Sequence, residues 1–128
     1  MSKSDFLETA ILNHTLRNIA YTPPATIYVG LFTAVSSDSA PGTEVTGNGY
    51  VRQAVTFGAP SGGSCSNTNQ ITFPIATPSG YGTVVGAGLF DAPSGGNFLR
   101  HSAVLSPRTI QAGDAATFSP GQLTITED

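Results

Sequence analysis

The feature that most constrains this chain is the pair Pro23-Pro24, together with the glycine and proline punctuation that follows it. Proline has no N–H to give a helix and restricts the residue before it, so Tyr21-Thr22-Pro23-Pro24 ends any helix begun upstream. Beyond that point, turn-forming clusters such as Pro41-Gly42 and Gly47-Asn48-Gly49 cut the sequence into short runs of strand length. Residues 26–33, centred on Ile27-Tyr28-Val29, are apolar on both faces, as a buried central strand would be. Residues 50–57 alternate, with Val51, Val55 and Phe57 on one face and Arg52 and Thr56 on the other. Ile71-Thr72-Phe73, residues 83–90, residues 98–105 and residues 122–126 complete about six or seven short strands, the last with Leu123 and Ile125 inward. No helical segment separates the later runs, which argues against parallel βαβ units. The expected fold is mainly β: a small antiparallel β-sandwich or barrel with one N-terminal α-helix.

The helix is read over residues 4 to about 20. Ser4 is a suitable N-cap, and Asp5 and Glu8 place negative charge in the first turn, where the macrodipole favours it. Leu7, Ile11, Leu12, Leu16 and Ile19 recur at helical spacing and form a broad apolar stripe. Burying one Leu or Ile stabilises by roughly 1.5–3 kcal/mol, so this stripe is the expected packing face, against the β domain or a neighbouring subunit. The 128 residues fit one domain, with the helix leading into a β domain from about residue 25 to residue 128.

Charge narrows the function. Only 10% of residues are charged, with five Lys and Arg in all and a net charge of −3. Nucleic-acid binders concentrate positive charge to neutralise phosphates, so direct nucleic-acid binding is not expected. A surface of Ser, Thr, Gly, Asn and Pro carries few charges to desolvate, which suits wide protein contact. No apolar run approaches the roughly 20 residues needed to cross a bilayer, and the amphipathic start lacks the apolar stretch of a signal peptide. A cytosolic product with no membrane partner is therefore expected. Cys65 is the single cysteine, in a Ser/Gly-rich stretch, and reads as an incidental thiol.

The search for chemistry finds no catalytic residue, metal or cofactor site. His14 and His101 have no second ligand at a supporting spacing. Ser94, His101 and Asp91 assemble into a triad only on paper, since Pro-Ser-Gly-Gly is not a nucleophile elbow; Asp91 reads better as a turn-former. The segment Ala-Pro-Ser-Gly-Gly occurs twice, at residues 59–63 and 92–96. It is open whether this is shared turn chemistry or a duplicated hairpin. Neither copy has the Lys-Ser/Thr of a phosphate loop. The seven Phe and four Tyr fall mostly inside strands and read as core; Tyr21, Tyr50 and Tyr81 lie beside turns, where the alternative is an interface or a sugar, an idea weakened by the absence of Trp.

Several motifs, taken in order, carry a resemblance. They are Ile27-Tyr28-Val29-Gly30-Leu31-Phe32-Thr33-Ala34, Gly42-Thr43-Glu44-Val45, Gly47-Asn48-Gly49-Tyr50-Val51-Arg52-Gln53, Ile71-Thr72-Phe73-Pro74, Gly88-Leu89-Phe90-Asp91-Ala92 and Gly121-Gln122-Leu123-Thr124-Ile125. With these the chain resembles a family of short tailed-phage structural proteins, of the tail-fibre-like or decoration type. It departs from that pattern in having Tyr81 in place of a tryptophan and in the Ser/Gly-rich loop of residues 59–67. The resemblance implies a virion component made in the host cytoplasm. Two placements follow. The first is a capsid cement protein on the shell exterior, a dimer or trimer partnered by copies of itself and by the major capsid protein. The second is a tail-fibre or baseplate accessory protein involved in host attachment, where a glycan would be a possible ligand. The candidate contact loops are marked by Pro41, Gly42, Asn48 and Tyr50, and by Pro60, Ser61 and Asn67.

Overall fold

The structure, a computed structural model, describes residues 1–127 apart from the side chains of residues 103–105. Asp128, the last residue of the expected β domain, lies outside the described residues. The two elements at the N-terminus are the short strand β1 (Ser2–Lys3) and the helix α1 (Asp5–Leu16). The apolar run after Pro24 forms β2 (Ile27–Phe32), followed by β3 (Gln53–Val55), β4 (Ser64–Ser66) and β5 (Ile71–Thr72). The long hairpin of β6 (Gly82–Phe90) and β7 (Phe98–Ile110) comes next, then β8 (Thr117–Phe118) and β9 (Thr124–Thr126). The fold is thus mainly β with one N-terminal helix, as expected. An antiparallel five-stranded sheet runs in the order β1-β7-β6-β2-β3, and two ribbons, β4-β9 and β5-β8, accompany it; the strands do not close into a barrel.

The two faces of the sheet are packed differently. Val29 and Leu31 of β2, Ala87 and Leu89 of β6, and Leu99 of β7 join Ile71, Phe73, Leu123 and Ile125 in one buried cluster. The ribbons therefore cover this face as a second layer. Neighbouring residues in a strand point to opposite faces, so Phe32, Phe90 and Phe98 belong to the other side. There Phe32 lies 6.1 Å from Phe90 and 6.0 Å from Phe98, edge to face. Gly88 makes the room: a Cβ on it would sit 2.6 Å from Phe32 Cζ and 3.0 Å from Phe98 Cε1. A glycine that weakens a strand by propensity is here the condition for laying aromatic rings across it.

Helix α1 is attached at its start. Ser4 is the N-cap, as its position suggested: Leu7 N–H donates to Ser4 Oγ at 3.3 Å. The same hydroxyl donates to the Phe98 carbonyl at 2.6 Å, and the Ser4 N–H donates to the Leu99 carbonyl at 2.8 Å. Asp5 N–H donates to the Asp38 carbonyl at 2.8 Å. The helix ends at Leu16, before the prolines are reached. Asn18, with φ 57°, takes the left-handed conformation that asparagine tolerates, and Ile19 N–H donates to the Asn13 carbonyl.

Of the expected packing face, read as lying against the β domain or a neighbouring subunit, only part meets the β domain. Leu7 is buried and Ile11 packs partly on the core, but Leu12, Leu16 and Ile19 are 56%, 76% and 45% exposed. Backbone bonds tie the start of α1 to the sheet, Leu7 and Ile11 pack beneath it, and the residues that follow are exposed. The run from Tyr50 to Phe57 is corrected. Only Gln53–Val55 is strand, Val51 is exposed, and the Arg52 side chain, expected on the polar face, is only 8% exposed. Strand β7 continues past residue 105 to Ile110, with a register shift opposite Val84 and Gly86.

Candidate interaction surface

The most elaborate side-chain cluster sits on the aromatic side of the sheet. Arg52 holds Glu44 in a fork, Nε to Oε2 at 2.8 Å and Nη2 to Oε1 at 2.8 Å. Its Nη1 donates to the carbonyls of Ala92 at 3.0 Å and Gly95 at 2.9 Å, and its Cζ lies 3.5 Å from the centre of the Phe90 ring. Tyr50 Oη donates to Glu44 Oε2 at 2.7 Å and accepts from Leu31 N–H at 2.9 Å. Burial, and then the hydrogen bond to Glu44, push the Tyr50 phenol well above its ordinary range. A planar guanidinium matches a carboxylate and two carbonyls at once. This knot fastens the segment 44–52 and the turn after β6 to the sheet. Sequence reading missed it. The available signal was scarcity, because in a chain with five basic residues each charge that is buried needs a partner.

The predicted contact loops divide. Pro41, Pro60 and Ser61 are exposed, and Gly42 and Asn48 are half-buried. Asn48 Nδ2 donates to the Gly80 carbonyl at 3.0 Å, so its turn is tied down. Tyr50 is half-buried; besides its place in the knot, it stacks on Phe73 with centroids 5.8 Å apart. Asn67 is buried at 3% exposure. Its Nδ2 donates to the carbonyls of Asn69 and Ser119, and its Oδ1 accepts from Leu123 N–H at 2.9 Å. Asn67 therefore fixes the β9 approach and is unavailable to a partner.

The two Ala-Pro-Ser-Gly-Gly copies share a backbone. Gly62 and Gly63 have φ 60° and 76°, and Gly95 and Gly96 have φ 61° and 71°. The first is a two-residue hairpin turn closed by Ser61 and Ser64. The second is held by Arg52 and by Asp91, which accepts from Asn97 N–H at 2.7 Å. Asp91 is thus a turn-former. His101 lies with Ser36 and Asp38 instead of Ser94 and Asp91. Asp38 Oδ1 is 2.8 Å from Nε2 and Ser36 Oγ is 2.9 Å from Nδ1. This clamps the 36–40 turn, and through Asp38 the helix start, onto β7. Among the described residues no group of three or more metal-ligating side chains converges, and no helix is long and apolar enough to cross a membrane.

Several large apolar side chains stand open on the surface. Phe6, Leu12, Leu16 and Ile19 stand out from α1. At the helix base lies a groove of about 360 Å³ walled by Leu7, Tyr21, Ile27, Phe57, Leu99 and Ile125. Helix and groove together form an apolar region suited to protein contact.

Comparison with known proteins agrees with such a role. The family described as "Podophage GP4 fiber I protein gp80" matches residues 2–126. The chain belongs to this family. It is a bacteriophage virion structural protein. The match spans the sheet, both ribbons and α1. No curated protein matches the chain.

Proposed function

We propose that this protein is a fibre component of the phage tail, acting through protein–protein contacts and with no chemistry of its own. The family match over residues 2–126 carries the reading, and its fibre description favours the tail over a capsid-cement role on the shell exterior. The exposed apolar residues of α1 support it as well. A ridge of Leu12, Leu16 and Ile19 is costly to leave in water and gains by burial against another chain. The proposed partners are copies of this chain, as a dimer or trimer, and the neighbouring proteins of the fibre. Labelling the protein on intact particles and imaging them by electron microscopy tests the placement. Label confined to the tail is the expected result. Label spread over the icosahedral shell would instead restore the capsid-cement role and its contact with the major capsid protein.

A further inference from the structure

Strand β3 is an edge of the five-stranded sheet. Edge strands present unpaired N–H and C=O groups to any other chain that can add a strand. In the register of β3 on β2, Val55 lies opposite Ile27 and Gln53 opposite Val29. The groups of Ala54 and Thr56 therefore turn to the outer side, as antiparallel pairing alternates. Just beyond β3 the chain does find a backbone partner: Thr68 N–H donates to the Thr56 carbonyl at 2.9 Å and Gly58 N–H to the Ser66 carbonyl at 3.0 Å. Continued in that register, the ladder would next offer Thr56 N–H the Thr68 carbonyl, and the Ala54 carbonyl the Gln70 N–H.

A side chain takes both places. Asn69 Oδ1 accepts from Thr56 N–H at 3.0 Å, and Asn69 Nδ2 donates to the Ala54 carbonyl at 3.3 Å. The Thr56 hydroxyl adds a bond to the same Oδ1 at 3.2 Å. A carboxamide has the donor and acceptor of a peptide group, so Asn69 supplies one more rung after the backbone has turned away. We infer that the Asn69 side chain is an edge guard, closing β3 against strand addition by another chain, a second copy of this protein above all. Assembly is thereby directed away from this edge.

Asn69→Ala opens the edge, and two readouts test the inference. Amide exchange at Thr56 should speed up roughly tenfold, the equivalent of one lost hydrogen bond. Sedimentation velocity across a concentration series should show association beyond that of the unaltered protein. Adding Ala54→Lys, a charge on the same edge strand, should return the sedimentation to the original pattern. Faster exchange at Thr56 with unchanged sedimentation would overturn the inference, as would association that Ala54→Lys leaves in place. Should Asn69→Ala fail to fold, Asn69→Ser adds no charge, keeps a small polar group and removes the Nδ2 donor to the Ala54 and Gln70 carbonyls. It should show a weaker form of the same association, and its absence would equally overturn the inference.

Discussion

Helix α1 and the segment from Glu44 to Arg52 are joined to the same sheet in opposite ways. The helix brings a stripe of leucine and isoleucine, yet beyond Leu7 and Ile11 that stripe stands in solvent. The segment brings a carboxylate and a guanidinium, and the guanidinium is nearly buried. Hydropathy alone would reverse the two. The difference lies in where the backbone is held. The backbone of the helix is pinned at Ser4 and Asp5, Leu7 and Ile11 pack below it, and the later residues of the stripe are exposed. The segment is held at Thr43 and Val45, which pair with Thr33 and Leu31, so Glu44 must lie on the sheet whatever its charge.

The comparison breaks if the knot proves dispensable. Arg52→Ala should lower stability by about 3 kcal/mol in urea denaturation, because it strands the Glu44 carboxylate and leaves the carbonyls of Ala92 and Gly95 without their donor. Coupling it with Glu44→Gln should recover part of the loss. Within the helix, Leu7→Ala should cost about 2 kcal/mol by removing the one fully seated anchor. A cost near zero would mean that α1 is held by its cap alone.

Acid and alkali distinguish the Glu44–Arg52 segment from a second tie, in which Glu127 pairs with Lys3 of β1 and Arg100 of β7. Burial raises the Glu127 carboxyl, but hydrogen bonds from Lys3 and Arg100 outweigh it and hold the group below its ordinary 4.5. A depressed carboxyl contributes stability above that value and loses it as pH falls through the folded one. Tyr50 is shifted up, so its contribution is complete below about pH 10 and is lost as pH rises further. Glu127→Gln should therefore flatten the acid limb of a melting-temperature profile, and Tyr50→Phe the alkaline limb. Equal effects of both on one limb would contradict the assignments. The smallest effect on stability is expected from Leu12→Ser with Leu16→Ser. Exposed positions of this kind shift stability by no more than about 0.5 kcal/mol each. Incorporation of the variant into particles should nevertheless fall sharply, because the ridge proposed to meet another chain is gone.

Features that depend on near neighbours were legible along the chain. Ser4 with Asp5 and Glu8 announced the helix start, because a cap acts within one turn. The apolar run around Ile27-Tyr28-Val29 announced an interior strand, because a strand covered on both faces must be apolar on both. The paired glycines of the two Ala-Pro-Ser-Gly-Gly turns announced reversals, because few other residues tolerate their φ. Tertiary structure alone decided which surfaces meet. Asn67 looked like a loop residue and is buried, and Tyr50 is half-buried, since their partners Leu31, Phe73, Ser119 and Leu123 come from elsewhere in the chain. The same holds for Arg52 with Ala92, His101 with Asp38, and the exposure of Leu16. Periodicity states which faces a residue has. Whether a face is covered depends on the direction in which the chain leaves its last anchor, and no local pattern encodes that.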